Sequence, residues 1–484
     1  VRHHDVEGDC WIAIHGKVYD ITNLLDSHPG GKAILLRYSG ADASVPFDEV
    51  HPKELLDEYQ GLISIIGTFD TEGSSSAGST TIPPNKGTAA SSPSATASIP
   101  TSNILSISEM ERLALQHLTP KAISYYASGS DDEVTKAANN SIYRSIILRP
   151  RVFVDCTACS LSTNILGNNV GLPIFISPAA MAKLAHPSGE AGIASACSKF
   201  NALQIISKNA SMSPLDIVRA GKDAVFGWQL YVLKDIKATE RTLAQIRAIS
   251  EVKFIVLTLD APFPGKREAD ERFKMAEVAQ GGTPQVWGTE SGLTWRKTLA
   301  WLSTQTKLPI VLKGIQSYED AFAASLFPAV KSIILSNHGG RALDTASTPI
   351  QVLLEIRKFC PQILSKIDVL VDGGIKRGTD VVKALALGAK GVGLGRAALY
   401  GLALGGQEGV ERTLKSKSHR CAIPLLSDLG SVLADETLTA LRLLGVSKIQ
   451  DLGPHHVNTA ALNQYLFEGP SGLDQVEIDL RPKL

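Results

Sequence analysis

The sequence predicts an α/β protein in which a large (β/α)8 (TIM) barrel follows a small separate domain. Three observations favour this fold class. Eight short apolar runs alternate with helix-like stretches in the C-terminal part of the 484-residue chain. Polar residues stand at the end of these runs, and a long Ser- and Gly-rich segment separates the runs from the first 70 residues. We therefore expect two hydrophobic cores, one on each side of that segment.

The eight runs are continuous rather than alternating, which is typical of parallel strands covered on both faces. Amphipathic segments such as residues 379–389 fit the helices between them. Eight strand–helix units close into a barrel, and a doubly wound open sheet is the alternative. The runs occupy residues 173–178, 203–207, 224–231, 254–260, 309–314, 332–337, 369–374 and 391–396.

Active residues of such barrels lie at the C-terminal ends of the strands. The residues at the ends of the eight runs are polar, and one run ends in a base and a cation, "SIILSNHGGRALD" (332–344). A plain turn with a surface His and Arg is the alternative for that run alone. The polar residues are Ser177, Ser207, Gln229, Tyr231, Asp260, Lys313, His338, Asp372 and Arg396.

Residues 71–103 consist mainly of Ser, Thr, Ala, Gly and Pro. Such a segment buries too little apolar surface to offset its ordering entropy, so it is predicted to be a flexible linker. The predicted domains are therefore residues 1–70 and 104–484. The tail after about residue 455 shows little helical patterning.

Composition excludes several functional classes. Lys+Arg and Asp+Glu number 48 each, and no basic tract occurs, which disfavours nucleic-acid and anionic-membrane partners. No stretch reaches the roughly 18 apolar residues of a membrane span. Six cysteines in so long a chain do not form a disulfide scaffold. The Cys156–Cys159 pair lacks the further ligands that a zinc site needs. The chain begins at Val1, so the lack of a targeting segment is uninformative.

The small domain contains two histidines in an apolar setting. "SHPGGKAIL" (27–35) places His28 before two glycines, and His51 follows in "FDEVHPKELL". Two histidines that flank an apolar cleft could hold a haem iron from both sides. The alternative is an ordinary turn with a capped histidine.

Residues 9–31, "DCWIAIHGKVYDITNLLDSHPGG", resemble the opening stretch of the cytochrome b5-like haem domains, and the resemblance covers residues 5–68. It implies a small α+β domain with haem b, and it implies His28 and His51 as the axial ligands. With both axial positions filled, the iron would carry single electrons rather than bind oxygen.

Glycines follow the seventh and eighth predicted strands, where barrels commonly bind phosphate with backbone N–H groups and a helix N-terminus. They stand in "VDGGIKRGTD" (371–380) and "GVGLGR" (391–396). Arg396 adds positive charge beside them. These features suit many phosphate ligands.

Five motifs together resemble the FMN-dependent 2-hydroxy-acid dehydrogenases and oxidases, over about residues 105–465. Fusion to a haem domain makes the chain similar to the fungal flavocytochrome L-lactate dehydrogenases, which pass electrons to cytochrome c. The motifs are "YYASGSDDE" (125–133), "LTLDAPFPGKRE" (257–268), "LPIVLKG" (308–314), "LSNHGGRALD" (335–344) and "VDGGIKRGTD" (371–380).

The resemblance implies a role for each matching residue. His338 matches the catalytic base, and Asp260 matches the carboxylate that orients it. Arg341 and Tyr125 match the groups that hold the substrate carboxylate, as a planar guanidinium can bond both oxygens. Tyr231 and Arg267 match further substrate-binding groups. Lys313 matches the catalytic lysine beside flavin N1 and the C2 oxygen. The implied FMN contacts are Ala179, Ala180, Ser207, Gln229, Thr258, Lys313, Ser336, Asp372, Gly373, Gly374, Lys376, Gly395 and Arg396.

Three features depart from the family pattern. Lys208 and Asn209 stand where an apolar or small stretch is usual beside the substrate, and Lys376 replaces an arginine beside the flavin phosphate. The segment between Arg267 and Leu308 is shorter than in the lactate dehydrogenases. Each departure puts the identity of the 2-hydroxy acid in doubt, but not the reaction. His338 could remove either the hydroxyl proton or the Cα proton, and the sequence favours neither.

The resemblance also implies partners. It suggests a cytochrome c-like electron acceptor, a homotetramer packed partly through the C-terminal tail, and a location in the mitochondrial intermembrane space, with the cytoplasm as the alternative. Two other functions remain open. One is a 2-hydroxy-acid oxidase that reduces oxygen directly; the haem domain argues against it, because such an oxidase needs no haem. The other is a catalytically silent electron carrier; His338, Asp260 and Arg341 argue against it, because such a carrier needs no catalytic residues.

Overall fold

The computed structural model describes two domains. The linker predicted at 71–103 lies outside the described residues except for 101–103, which form a 3-10 turn. The described residues are 1, 3–28, 32–51, 55–59, 61–68, 101–279, 288–414 and 432–480.

The small domain is an α+β unit, as the resemblance implied. Its antiparallel sheet has the order β1-β2-β3-β4, with strands Asp5–Val6, Asp9–Ile14, Lys17–Asp20 and Ser64–Thr68. His15 and Gly16 join β2 to β3 as a two-residue loop, and both have positive φ, which matches the twist of the flanking strands. Three helices cover the sheet: α1 Lys32–Tyr38, α2 Ser44–Val50 and α3 Leu55–Glu58.

The large domain is a closed barrel of eight parallel strands, so the predicted (β/α)8 fold is confirmed and the open sheet is excluded. Short strands β5 Ile147–Leu148, β6 Thr163–Ile165 and β7 Asn168–Val170 precede it, and β16 Val457–Asn458 follows it. The barrel strands are β8 Ile174–Ile176, β9 Leu203–Ile206, β10 Val225–Leu230, β11 Val252–Thr258, β12 Ile310–Ile315, β13 Val330–Leu335, β14 Asp368–Asp372 and β15 Gly391–Leu394.

Both faces of the barrel strands are buried, because alternate side chains point into the barrel and out towards the helices. The inner layer includes Phe175, Phe254 and Val256. Hairpin β6–β7 adds Ile165 and Val170 to this layer, so the hairpin covers one end of the barrel. The outer layer packs between the strands and the surrounding helices.

Helices follow the strands around the barrel, and several begin at a side-chain cap such as Ser213, Asp235 or Thr348. The helices are α4 Ile107–His117, α5 Pro120–Ala127, α6 Val134–Ser141, α7 Gly189–Lys199, α8 Pro214–Ala220, α9 Ile236–Arg247, α10 Glu268–Ala279, α11 Trp295–Gln305, α12 Tyr318–Ser325, α13 Pro349–Phe359, α14 Ile363–Lys366, α15 Gly378–Ala386, α16 Arg396–Leu414, α17 Leu433–Leu444 and α18 Leu473–Leu480.

The C-terminal tail differs from the expectation of little helix after residue 455. Helix α18 forms there and packs against α12. Tyr318 of α12 donates a hydrogen bond to the Ser471 carbonyl at 2.9 Å, immediately before the helix. Tertiary packing therefore supplies the stability that the short local pattern lacks.

Candidate functional site

The centre of the candidate site is a histidine–carboxylate pair. His338 follows β13, and its Nδ1 lies 2.8 Å from Oδ1 of Asp260, which follows β11. A carboxylate can only accept, so Nδ1 carries the proton and Nε2 of the neutral ring is left to accept one. Burial on its own raises the pKa of Asp260, but the charges of His338 and Lys313 outweigh it, and the pKa lies below its ordinary value. Asp260 is therefore ionised, and its charge would stabilise the imidazolium that forms when Nε2 accepts a proton.

The loop that carries His338 has an unusual backbone. His338, Gly339 and Gly340 all have positive φ, between 59° and 75°. A Cβ on Gly340 would lie 2.5 Å from the backbone nitrogen of Lys136, so only glycine fits there. The Gly-Gly pair is thus a requirement of the turn that places base and arginine together.

A reciprocal amide pair holds this loop. Asn139 and Asn337 exchange hydrogen bonds of 2.8 and 2.7 Å, and Asn337 Oδ1 also accepts from the Gly340 N–H at 3.1 Å. Both amides are buried. Buried, satisfied amides fix a single loop conformation.

Two arginines converge near the base. Arg341 donates from one nitrogen to the carbonyls of Tyr126 and Ser128, each at 3.1 Å. The Tyr125 ring contacts both guanidinium groups, with Cζ of Arg341 at 5.3 Å and Cζ of Arg267 at 5.5 Å from its centroid. Desolvation, and then the charge of Arg267, lowers the pKa of Arg341 to about 10. It remains a cation at neutral pH and suits a carboxylate ligand.

Lys313 is a buried cation behind the base. Its Nζ donates to Ser336 Oγ at 2.8 Å and lies 3.5 Å from Oδ2 of Asp372 and 3.9 Å from Oδ2 of Asp260. Burial on its own would lower the pKa of Lys313, but Asp372 and Asp260 raise it above its ordinary value. A fixed positive charge therefore faces this part of the cavity.

Several buried polar atoms beside Lys313 suit a polar ligand such as a flavin. Gln229 Nε2, Thr258 Oγ1 and Asp372 Oδ1 have no partner among the described residues. Buried polar atoms are normally satisfied. Unpaired donors and acceptors in one cleft thus fit the polar edge and ribityl chain of FMN.

The far end of the cleft suits the phosphate. Helix α16 begins at Arg396, and a Cβ on the preceding Gly395 would meet no atom within 4 Å, so the backbone there borders open space. Arg396 donates to the Gly339 carbonyl at 2.7 Å. Lys376 lies nearby but is paired with Glu111 at 2.6 Å. A helix N-terminus and two cations at this end of the cleft suit an anion.

The two histidines of the small domain face each other. The rings of His28 and His51 lie 6.0 Å apart at an interplanar angle of 75°, a separation that leaves room for one metal ion between them. Burial, and to a lesser extent His28, lowers the pKa of His51 to about 4. The ring is then neutral at pH 7, which is the form that ligates a metal. Apolar Ile34, Leu36 and Leu55 line the same cleft, which suits a haem.

One cavity of about 2360 Å³ joins the two clefts, and it contains nearly all the predicted site residues. Asp260 and Ser336 lie outside its wall and contact His338 and Lys313 from behind. Lys208 and Asn209 also line it. The predicted residues along the wall are His28, His51, Tyr125, Ala179, Ala180, Ser207, Gln229, Tyr231, Thr258, Arg267, Lys313, His338, Arg341, Asp372, Gly373, Gly374, Lys376, Gly395 and Arg396.

Sequence reasoning missed several residues that shape the site. Glu111 pairs with Lys376, and Asn139 pairs with Asn337. Gly314 has φ +97°, and a Cβ there would lie 2.6 Å from the Asp260 side chain. The glycine after "IVLK" was a local signal for a close approach. The two pairings join distant parts of the chain and leave no local signal.

Comparison with known families matches both domains. The model of the FMN-dependent dehydrogenases matches residues 114–459. The model of the cytochrome b5-like haem/steroid binding domain matches residues 1–70. The two matches overlap the barrel and the small domain, respectively.

Curated relatives span both domains. The chain is 34% identical to an L-lactate dehydrogenase (cytochrome) of Wickerhamomyces anomalus, over 97% of this chain and 82% of that protein. It is 35% identical to the enzyme of the same name from Saccharomyces cerevisiae, over 100% and 83%. A 2-hydroxyacid oxidase of Dictyostelium discoideum is 36% identical over 72% of this chain and 89% of that protein.

Solved structures of related flavoproteins also match this chain. A flavocytochrome b2 variant with pyruvate bound is 36% identical, has a TM-score of 0.68, and is matched over 80% of this chain and 94% of its own. A mandelate oxidase variant with (S)-mandelic acid is 31% identical at a TM-score of 0.62, over 73% and 98%. The geometry of the cleft and these matches lead to one conclusion. The chain belongs to the FMN-dependent dehydrogenase family and carries a cytochrome b5-like domain at its N-terminal side.

Proposed function

We propose that this protein oxidises an L-2-hydroxy acid to the 2-oxo acid with FMN, and passes the electrons through its own haem to a cytochrome c-like acceptor. The observation that carries the proposal is the single cavity that joins His338 and Arg341 to His28 and His51. A base, a carboxylate site and two facing haem-ligand histidines thus border one continuous space. FMN, when bound, supplies the two-electron acceptor.

The residues of this chain hold the substrate and move its proton. Arg341 and Arg267 bind the substrate carboxylate, and Tyr125 packs against both guanidinium groups. Nε2 of His338 accepts a proton, and Asp260 stabilises the imidazolium through Nδ1. The same arrangement serves removal of the hydroxyl proton or of the Cα proton. Tyr231 lines the cleft, and its pKa is raised by burial, so its hydroxyl keeps its proton as a donor.

Lys313 would face the flavin where negative charge collects on reduction. Its buried ammonium keeps its proton because Asp372 and Asp260 lie close by. Gln229 and Thr258 would give the flavin their unpaired polar atoms. Gly395, Arg396 and Lys376 would hold its phosphate.

The substrate and partners are finer proposals. Arg341 suits the carboxylate of an acid such as L-lactate, and Asn209 at the cavity wall would favour an acid with a polar side chain. The acceptor is a cytochrome c-like protein, the assembly is a homotetramer, and the location is the intermembrane space. No helix among the described residues is long and apolar enough to cross a bilayer.

Anaerobic stopped-flow mixing with L-lactate tests the proposal in the full-length protein with both cofactors bound. Flavin bleaching followed by haem reduction is expected. Flavin bleaching with peroxide release in air and no haem reduction would instead identify an oxidase. No reduction of either cofactor by any 2-hydroxy acid would identify a silent carrier. A series of 2-hydroxy acids, compared by the rate of flavin bleaching, identifies the substrate.

A further inference from the structure

Helix α2 of the small domain ends with a carbonyl that has no hydrogen-bond donor within the helix. The helix covers Ser44–Val50, and the His51 N–H donates to the Phe47 carbonyl at 2.8 Å. His51 is extended, with φ −128° and ψ 143°, so the helix ends before it and the Asp48 carbonyl has no donor within the helix. Residue 52 is proline, which favours this extended conformation in the residue before it. The carbonyl three residues before the haem ligand His51 therefore needs a donor from outside the helix.

The donor comes from the barrel. Lys183 Nζ donates to the Asp48 carbonyl at 2.9 Å. Lys183 stands in the 3-10 turn Ala182–Leu184, which follows β8 and packs against α2. A cation at a helix C-terminus also interacts favourably with the helix dipole. The contact is therefore both a hydrogen bond and a charge–dipole interaction.

Both partners of this bond are held in place. In the small domain, the Asp48 carboxylate accepts from His15 Nε2 at 2.9 Å. In the barrel, the Lys183 N–H donates to Ser211 Oγ at 3.2 Å. Each of the two residues therefore has a second contact within its own domain.

A buried carboxylate fixes the barrel side further. Glu190 is 2% exposed, and its Oε1 accepts from the N–H groups of Ala182 and Ser211, at 3.0 and 2.9 Å. The loop from β8 to Lys183 also carries Ala179 and Ala180, which line the flavin end of the cavity. The bond thus joins the loop beside the flavin site to the helix that ends at His51.

We propose that Lys183 is a docking residue that fixes the haem domain over the flavin site, with the proline at position 52 keeping the Asp48 carbonyl available to it. Lys183 positions the two cofactors and touches no reacting atom. The proposal rests on the proposed function for the direction of electron flow, and it adds no chemical step. Loss of the bond lowers the fraction of molecules in which the haem domain is docked.

The first test compares Lys183→Met with wild type in the full-length protein with both cofactors. Substrate bleaching of the flavin and turnover with an artificial flavin-level acceptor should stay unchanged. Haem reduction should slow about three- to tenfold, the population change expected for one net hydrogen bond. Lys183→Arg should restore most of the rate. Lys199→Met is the matched control, because Lys199 forms an exposed ion pair with Glu411 on the same domain.

The second test measures docking rather than electron transfer. Hydrogen exchange of the backbone N–H groups of helix α2 should be faster in Lys183→Met than in wild type, because the docked population falls. Lys183→Arg should keep exchange close to that of wild type. Should Lys183→Met fail to fold or to retain FMN, Lys183→Gln replaces it in both tests.

Three results would overturn the proposal. One is a wild-type rate of haem reduction in Lys183→Met, and another is wild-type hydrogen exchange of helix α2 in that variant. The third is equal slowing of flavin and haem reduction, which would place Lys183 in the flavin site instead. Failure of the proposed function would look different, because substrate would then bleach the flavin neither in the wild type nor in any variant.

Discussion

The two ends of the cavity are built differently. At the barrel end, buried polar groups from several strands contact one another, as Asp260, Lys313 and Asp372 do within 4 Å. At the small-domain end, two partly exposed histidines stand among apolar side chains. Proton chemistry requires groups whose charge and direction are fixed beforehand. Electron transfer requires ligands, an apolar wall and proximity, so fewer polar contacts suffice.

The comparison predicts that the two ends fail separately. His51→Ala should remove the haem and nearly abolish reduction of cytochrome c, because one axial ligand is lost. Flavin bleaching by substrate and turnover with an artificial flavin-level acceptor should persist. Absorbance of the haem and the two assays measure this. His4→Ala, which alters a histidine stacked on Trp11 in the same domain, is the control. Equal loss of both activities would show that the two ends are one functional unit.

At the barrel end, His338→Gln should slow flavin reduction by roughly 10²–10⁴-fold, the usual contribution of a positioned base. FMN should stay bound, since Gln keeps the volume and a hydrogen bond to Asp260. Single-turnover absorbance of the flavin measures the rate. His186→Gln is the control, because His186 is a partly buried barrel histidine paired with Ser188 at 2.8 Å. A near-normal rate in His338→Gln would remove this residue from the mechanism.

Lys313→Met tests whether the buried polar contacts of the barrel end also stabilise the fold. Breaking a buried ion pair by removing one partner costs about 3–5 kcal/mol, so the free energy of unfolding and FMN affinity should both fall. Denaturant unfolding and flavin fluorescence measure them. Exposed Lys331→Met should change neither. Adding Asp372→Asn to Lys313→Met should recover part of the stability.

The same variant has a predicted pH dependence. Lys313 is one of the charges that hold the pKa of Asp260 below 3.8 in the folded protein. Such a carboxylate stabilises the fold above its unfolded pKa, and that stabilisation is lost as pH falls through the lower folded value. The difference in free energy of unfolding between wild type and Lys313→Met should therefore narrow as the pH falls through and below 3.8. A difference that stays constant through that range would assign the loss to packing.

The barrel was predictable from the sequence because each strand is buried on both faces and reads as a continuous apolar run. Two strand starts were placed two residues too late, and they have a common cause. Strands β11 and β13 begin at Val252 and Val330, and each has an exposed lysine next, Lys253 or Lys331, which interrupts the run. An exposed polar side chain near the start of a strand interrupts the apolar run, so hydrophobicity alone misses the strand residue before it.

The site residues were predictable where a motif carries them, and their partners were not. The sequence places His338 and Asp260 at the ends of strands, but Lys183, Glu111 and Asn139 have no local signal. Each acts through a residue more than 100 positions away, as in the contacts of Lys183 with Asp48 and Glu111 with Lys376. Only the fold brings such pairs together.

At the barrel end, Asn209→Leu tests whether a polar side chain at the cavity wall determines which substrate is preferred. Asn209 is exposed at the cavity wall, and a net hydrogen bond contributes about 0.5–1.5 kcal/mol, so an acid with a polar side chain would gain from Asn209 what lactate cannot. The ratio of kcat/KM for L-lactate to that for such an acid should rise in Asn209→Leu by roughly two- to tenfold. Asn164→Leu, on the exposed hairpin, is the control. An unchanged ratio would return the substrate to a lactate-like acid.

The smallest expected effect concerns the phosphate end, where the barrel site most resembles an ordinary surface. The Glu111–Lys376 pair is partly exposed, at 24% and 35% of the two side chains, and such pairs contribute about 0–1 kcal/mol. The carboxylate competes with the FMN phosphate for the lysine. Glu111→Gln should therefore bind FMN about two- to fivefold more tightly at low salt, with the gain reduced at high salt.

Fluorescence quenching of FMN on titration with apoprotein, at low and high salt, measures this affinity. Glu411→Gln is the matched control, since Glu411 pairs with Lys199 at the same 2.6 Å on another face of the barrel. Weaker FMN binding in Glu111→Gln would mean that the carboxylate holds Lys376 in place for the phosphate rather than competing with it. The phosphate end would then rely on fixed polar pairs, as the base and Lys313 do, and the contrast with the small domain would extend along the whole barrel site.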